Sequence, residues 1–282
     1  MRKKISLFTT FAVSAMLLLA ACGTKETGNT SSSSSEEEKD VLRVGMEAGY
    51  PPFNWTQLDD SNGAVKIEGN SEYAGGYDVE IAKRLAEGLG KELVIVKTEW
   101  DGLVPSLQSN KIDAITAGMS PTEERKQSID FSDNYYTSNF VMIVKKGSQY
   151  ENAESIQDFS GAKITAQLNT SHYGVIDQIE NVNKQPASDN FPAMRVALES
   201  GVIDGYVSER PEGISATSAN QNFAMVEFKE GFKANEEETA VAVGLKKDSD
   251  LADKINEILA DISEEERQEI MDAAIKNQPA AE

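Results

Sequence analysis

The 282-residue chain contains one cysteine, Cys22, and one histidine, His172. A single cysteine excludes a disulfide within the chain, so the fold must rest on its core. A single histidine, with no cluster of partners around it, suggests neither a nucleophilic triad nor a metal site. No cofactor is expected either. Basic residues are scarce: 27 Lys and Arg stand against 47 Asp and Glu, a formal charge of −20. That balance argues against nucleic acid or an anionic membrane surface as a partner. Long apolar runs are missing after the N-terminus. The one hydrophobic segment, "ISLFTTFAVSAMLLLA", is short for a membrane span and broken by Ser and Thr.

What precedes and follows that segment gives it a different meaning. Arg2-Lys3-Lys4 supplies the basic start of a secretory signal. Leu19-Ala20-Ala21-Cys22-Gly23 resembles the lipobox of bacterial lipoproteins, which makes residues 1–22 a lipoprotein signal and Cys22 the site of lipidation. Removing Arg2, Lys3 and Lys4 takes the formal charge from −20 to −23. Residues 23–40, "GTKETGNTSSSSSEEEKD", lack apolar side chains and read as a disordered tether.

From residue 41 short apolar runs alternate with amphipathic stretches. "VLRVGM" reads as a strand, "YDVEIAKRLAEGLG" as a helix with Ile81, Leu85 and Leu89 at spacing four, and "ELVIVKT" as a strand. "GLVPSLQS" and "IDAITA" continue as helix and strand. This β-α-β-α-β order predicts a parallel sheet flanked by helices. The rhythm returns after residue 140 with "FVMIVKKG", "AKITAQ", "SHYGVIDQI", "PAMRVALES" and "VIDGYVS". "LQSNKIDAITAG" (107–118) aligns without gaps to "LESGVIDGYVSE" (198–209), sharing Leu, Ser, Ile and Asp, which suggests two lobes of similar topology. Open parallel sheets bind ligands beyond their strands' carboxyl ends, so Ala117-Gly118 and Ser208-Glu209 are candidates for facing walls of one cleft. The strand near residue 240 and the helices after it either extend the second lobe or cross back to the first.

"GYDVEIAKRLAEGL" (76–89) resembles the signature of bacterial extracellular solute-binding proteins of family 3, which serve polar amino acid importers. "VGMEAGYPPF" (44–53), "WDGLVPSLQSNKIDAI" (100–115), "SPTEER" (120–125) and "IDFSDNYY" (129–136) follow in that family's order and spacing. The resemblance implies an α/β fold of two lobes, the type II periplasmic-binding-protein fold, with two crossover hinge segments. Lobe 1 would take residues 41–138 and 236–282, and lobe 2 residues 139–235. Ligand would bind between them under hinge closure. The implied protein is a monomer that binds a free amino acid and partners an ABC transporter permease. It would be held by the Cys22 lipid on the extracellular face of a plasma membrane, as suits a Gram-positive bacterium.

The site residues follow. "SPTEER" reads as a helix start with Ser120 as N-cap, Pro121 in the first position and Glu123 closing a capping box. That puts Arg125 near the positive end of the helix dipole, where acids are favoured. Read from the residues alone, Arg125 either pairs with Glu123 or Glu124 at the surface or serves an anion. The resemblance implies the second: Arg125, with Ser120, Thr170 and Ser171, would hold the ligand carboxylate, and Glu209, with Gly118 and Ser120, its ammonium. Asn169 stands where the family has glycine, and Ala117 and Gly118 where it often has serines. The side-chain pocket would comprise Glu47, Tyr50, Phe53 and Trp100, with Tyr50 and Trp100 sandwiching an aliphatic stem and Glu47 meeting a cationic tip. A lysine or arginine ligand is therefore expected, with glutamine, histidine or cystine as alternatives. A carboxylate-using enzyme of the dehydratase type is the competing function class, and no enzymatic activity is expected. A receptor reading would need a separate partner chain, since no output domain follows residue 282.

Overall fold

A computed structural model of the chain describes residues 40–279, so the signal, Cys22 and the tether through residue 39 lie outside the described residues. Asp40, assigned to the tether, is already engaged: its carbonyl accepts from the Glu92 amide (3.0 Å) and its carboxylate pairs with Lys91. The last residue assigned to the tether is thus hydrogen-bonded into the fold.

Alternation along Val41–Met46 buries Leu42, Val44 and Met46 and makes it the inner strand of a five-stranded sheet. It pairs in parallel with Glu92–Lys97 on one side and Ala114–Ile115 on the other. Ala240–Leu245 then joins antiparallel to Ala114–Ile115, and Asp130–Thr137 antiparallel to Ala240–Leu245. The parallel expectation therefore holds for three strands, and the sheet as a whole is mixed. The reason is connectivity. Ala240–Leu245 enters after the chain has built a second sheet, so it arrives from the opposite direction. Asp130–Thr137 escaped the sequence reading because its polar "SDN" interrupts apolar patterning, and its pairing is irregular at Val241/Ala242 and Ala242/Gly244.

The second five-stranded sheet repeats the plan. Its order is Asn183–Lys184, Lys163–Thr165, Gly205–Glu209, Phe140–Lys145 and Phe223–Val226, the first three parallel and the last two antiparallel to their neighbours. The chain passes between the sheets after Thr137 and again between Val226 and Ala240. Ala240–Leu245 accordingly returns to the first sheet. A small antiparallel sheet of Gly49–Tyr50, Asn54–Gln57, Tyr73–Gly75 and Val65–Lys66 fills the long connection after the first strand.

Helix Tyr77–Leu89 buries Val79, Ile81, Ala82, Leu85 and Ala86 and stops at Gly90, whose left-handed backbone returns its N–H to Ala86 and Glu87. Its entry fixes the floor of the cleft. Gly76 has φ 123°, and a Cβ there would lie 2.3 Å from the Phe53 carbonyl oxygen, so only glycine fits. Fully buried Asp78 accepts from Asn54 Nδ2 (2.7 Å), the Tyr135 hydroxyl (2.6 Å) and the Gly118 amide. Burial raises its carboxyl to about 6 against those three bonds, which lower it. The helix signature thus ties two loops and a strand end together. Helices Ala252–Ala260 and Glu264–Asn277 pack on Tyr77–Leu89. Among the described residues no helix is long and apolar enough to cross a membrane.

Candidate functional site

The carboxyl ends of the parallel strands in both sheets meet at one cleft. Arg125 enters it from a single helical turn, Glu123–Lys126. The N-cap of that turn is Thr122, whose hydroxyl accepts the Arg125 amide (3.4 Å). This corrects the expectation of Ser120 as cap, Pro121 in the first helical position and Glu123 in a capping box. Ser120 is outside the turn because its carbonyl and hydroxyl are used elsewhere. The carbonyl accepts from the Thr122 amide (2.9 Å) and from Arg125 Nη1 (2.8 Å), and the hydroxyl donates to the Glu238 carbonyl (3.2 Å). Arg125 Nη2 donates to the Asn169 carbonyl (2.7 Å), and its guanidinium lies 5.1 Å above the Trp100 ring. Neither Glu123 nor Glu124 forms an ion pair with it; Glu123 pairs with Lys126 (3.1 Å). Burial lowers the guanidinium to about 10, which leaves it cationic at neutral pH.

Glu209 ends strand Gly205–Glu209 and is buried, while its neighbour Arg210 pairs with Glu227 (2.8 Å) at the surface. The Tyr50 hydroxyl donates to Glu209 Oε1 from the opposite lobe, and His172 Nε2 stands 3.8 Å from the same oxygen. Desolvation, with nearby Glu212 and Asp78, raises the Glu209 carboxyl to about 8 despite the tyrosine bond. Gly118 abuts the Tyr50 ring: with φ 61°, a Cβ there would fall 2.6 Å from that ring.

The loop 167–171 faces Arg125. Asn169 takes the left-handed conformation expected of a glycine substitute, φ 55°. Its side-chain amide reaches Asp101 across the cleft (2.9 Å). The Thr170 hydroxyl caps helix Ser171–Val175 and donates to the Gln167 carbonyl (2.6 Å). The Ser171 hydroxyl donates to the Glu238 carbonyl (3.1 Å), the same oxygen that receives Ser120. All three hydroxyls named from the sequence are therefore engaged within the protein. A cavity of about 580 Å³ opens beside them, lined by Trp100, Asp101, Arg125, Asn169, Thr170 and Ser171 among others. A larger groove of about 710 Å³ lies between helices Tyr77–Leu89 and Glu264–Asn277, where Arg84 is already paired with Glu266 (2.6 Å); no residue of the second sheet lines it.

Of the proposed side-chain pocket, Tyr50 and Glu47 are buried at the cleft. Tyr50 stacks on Phe191 from the second sheet's side at 4.2 Å and on Phe53 at 5.0 Å. Phe53 is fully buried, edge-on to Tyr77 and Tyr136, and supports Tyr50 from the core. Trp100 contacts Arg125. Glu47 Oε2 accepts from Gln167 Nε2 (3.0 Å), while Oε1 is buried with no partner. Burial, with Glu99 and Asp101 nearby, raises the Glu47 carboxyl to about 7.

Several residues here were not read from the sequence: Asp101, Gln167, Phe191 and the Glu238 carbonyl. His172 was read only as a lone histidine. It is buried between Phe140 and Phe191 with both ring nitrogens unpartnered, and desolvation beside Arg125 lowers it to about 3. Among the described residues no group of three or more His, Cys, Asp or Glu could hold a metal ion.

Comparison with known proteins gives the site its context. The arginine-binding extracellular protein ArtP of Bacillus subtilis is 30% identical over 260 residues, covering 87% of this chain and 88% of ArtP. A probable histidine-binding protein of Campylobacter jejuni is 33% identical over 225 residues, covering 76% and 80%. Among solved structures, an amino acid ABC transporter substrate-binding protein of Streptococcus pneumoniae bound to L-arginine superposes with a TM-score of 0.74. It is 26% identical, with 84% of this chain and 94% of that one covered. These relatives are named for what they bind, not for a reaction, and this chain has the two-lobed α/β periplasmic-binding-protein fold of the solved structure. The family model for bacterial extracellular solute-binding proteins, family 3, matches residues 42–276, and the chain belongs to that family.

Proposed function

We propose that this protein binds a cationic amino acid, arginine or lysine, between its two lobes and presents it to an ABC importer permease. It would act as a monomer on the outer face of the plasma membrane, tethered through a lipid on Cys22. The observation that carries the reading is the convergence of Arg125 and Glu209 on one loop: Arg125 holds the Asn169 carbonyl, and Glu209 lies beside His172 three residues on. A guanidinium and a carboxylate at one cleft complement the two charged ends of a zwitterion. The Tyr50 O–H now on Glu209 would yield to the ligand ammonium. Arg125 would take the carboxylate, and the Ser120, Thr170 and Ser171 hydroxyls would turn from the carbonyls they now serve to donate to it. Glu47, buried with one free oxygen, is suited to a cationic tip. The relatives named for arginine support that choice of ligand. Sheet membership supports lobes of residues 41–138 with 236–282, and of 139–235.

A thermal-shift panel of the twenty amino acids on residues 40–282 tests this. A ligand at about a hundred times its dissociation constant should stabilise the fold by roughly 2.7 kcal/mol. Arginine or lysine should give the largest shift. Arg125→Ala should abolish the response to every amino acid, whereas Glu47→Ala should alter the preference among them. A response to glutamine with none to either cation would reject the Glu47 assignment.

A further inference from the structure

Contacts between the lobes are not confined to the cleft. Helix Glu264–Asn277 packs on helix Tyr77–Leu89 of the first sheet and also on helix Arg210–Ala219, which follows strand Gly205–Glu209 of the second. The bridge is made just past its last turn. The half-buried Gln278 accepts from the Ser215 hydroxyl through Oε1 and donates from Nε2 to the Ser215 carbonyl (3.4 Å). Ser215 is fully buried and held from behind, where Arg195 Nη2 donates to its hydroxyl oxygen (3.1 Å). Arg195 Nε, Arg195 Nη2 and the Tyr206 hydroxyl all donate to Oε1 of the fully buried Glu212, at 3.1, 2.8 and 3.0 Å. Arg195 stands on helix Phe191–Glu199, whose first residue stacks on Tyr50, and Ser215 on the helix entered from Glu209. Gln278 thus reaches both helices that flank lobe 2's cleft groups. None of Arg195, Ser215 and Gln278 lines the cavity beside Arg125.

We propose that Gln278 is a clasp that engages only when the lobes close, and that it raises the closed fraction whatever amino acid occupies the cleft. The inference rests on the reading that ligand is bound between hinged lobes, and not on which ligand it is. Its position makes it sensitive to closure. Helix Arg210–Ala219 is tied to the first crossover at its start, where the Arg210 amide donates to the Asn139 carbonyl (3.1 Å). Ser215 lies about 7.5 Å farther along, at a rise of about 1.5 Å per residue. Rotation about the crossovers displaces it against a side chain carried by the other lobe, and a hydrogen bond is lost once its atoms are about 3.6 Å apart. Arg195 keeps Glu212 when the clasp opens, so parting strands no buried charge, as a reversible contact requires. A bond present in the closed state alone adds its free energy to closure rather than to the ligand's own contacts, and so scales every affinity alike.

The test pairs a distance measurement with calorimetry on the full chain. Spin labels at Leu58→Cys and Val202→Cys, in a Cys22→Ser background, report the separation of two exposed sites on opposite lobes. Gln278→Ala should lower the ratio of closed to open molecules about three- to tenfold, the span for two lost neutral hydrogen bonds. Affinity for every amino acid that binds should fall by one common factor no larger than that. Ser215→Ala should shift the ratio in the same direction, and the double variant should go no further than Ser215→Ala alone. An unchanged ratio in Gln278→Ala overturns the inference, as does a lowered melting temperature with the ratio kept. A loss confined to one amino acid also overturns it, because that would place Gln278 at the ligand. If no amino acid binds wild type while the ratio still falls in Gln278→Ala, the clasp stands and the parent reading fails.

Discussion

Residues 107–118 and 198–209 occupy equivalent places in the two sheets, and the Leu, Ser, Ile and Asp they share sit at matching points. Leu107 and Leu198 are buried at corresponding points of their helices. The Ser109 hydroxyl donates to Pro105 at 2.8 Å and to Ser106 at 3.2 Å; Ser200 makes the same pair of bonds to Val196 and Ala197 at the same lengths. Asn110 and Gly201 both turn with positive φ. Asp113 exchanges two 2.8 Å bonds with Arg43, through its side chain and its amide, and Asp204 does the same with Lys163. The shared letters are thus one structural unit used twice, with each Asp locking its strand to the sheet's first parallel neighbour. The tips then diverge. The lobe 1 segment ends in Gly118, which has no side chain and lets Tyr50 pack against its backbone. The lobe 2 segment ends in Glu209, whose carboxylate meets that same Tyr50. What differs between duplicated units marks the chemistry, and what they share marks the scaffold.

Exchanging the chemistry at the second tip should produce the largest effect. Glu209→Gln removes the buried negative charge while keeping the shape, and should weaken binding of any amino acid by about 2–4 kcal/mol, the range for losing one partner of a buried charge pair. Calorimetry would detect this, and an affinity within about threefold of wild type would show that the ammonium is held elsewhere. The first tip should respond in stability instead. Gly118→Ala meets both a positive φ and a Cβ 2.6 Å from the Tyr50 ring, so a loss of about 1–3 kcal/mol is expected by denaturant unfolding. If the variant is as stable as wild type, the tip has more room than the geometry indicates.

The shared part of the unit sharpens the comparison further. Asp113→Ala and Asp204→Ala should each cost about 1.5–3 kcal/mol, the value of a hydrogen bond to a charged group, and the two losses should be similar. A large effect at one and none at the other would make the resemblance of the two segments a coincidence of sequence.

How much of this was legible beforehand follows the range of the interactions. Helix Tyr77–Leu89 and strand Val41–Met46 match the quoted patterns because periodicity and a terminal glycine are local signals. The duplicated unit was visible for the same reason. The cap at Ser120 was misread because Ser and Thr both suit the role, and only Ser120's contact with Glu238, 118 residues away, removes it from contention. The pairings that join the lobes were invisible. Tyr50 to Glu209, Glu47 to Gln167 and Asp101 to Asn169 span 159, 120 and 68 residues, and their side chains meet only when the two lobes come together. Gln167 and Phe191 carry no signal in their own neighbourhoods that could announce such a meeting.

The last prediction comes from proton linkage, and it discriminates between the two carboxyls at the cleft. Burial raises Glu209 from an ordinary 4.5 to about 8 and Glu47 to about 7, so the folded protein holds protons between pH 4.5 and 8 that the unfolded chain has released. The unfolded state then binds fewer protons, and ligand-free stability must fall as pH rises through that window. A bound ammonium or guanidinium needs the carboxylate ionised, so binding expels those protons and affinity should rise with pH, by at most about tenfold per unit for each proton released. The rise should flatten above about pH 8 in wild type. In Glu209→Gln only the Glu47 share remains, and the curve should flatten near pH 7. Titrations in two buffers of different ionisation enthalpy would count the protons directly. An affinity independent of pH from 5 to 9 would mean that both carboxyls are already ionised before the ligand arrives.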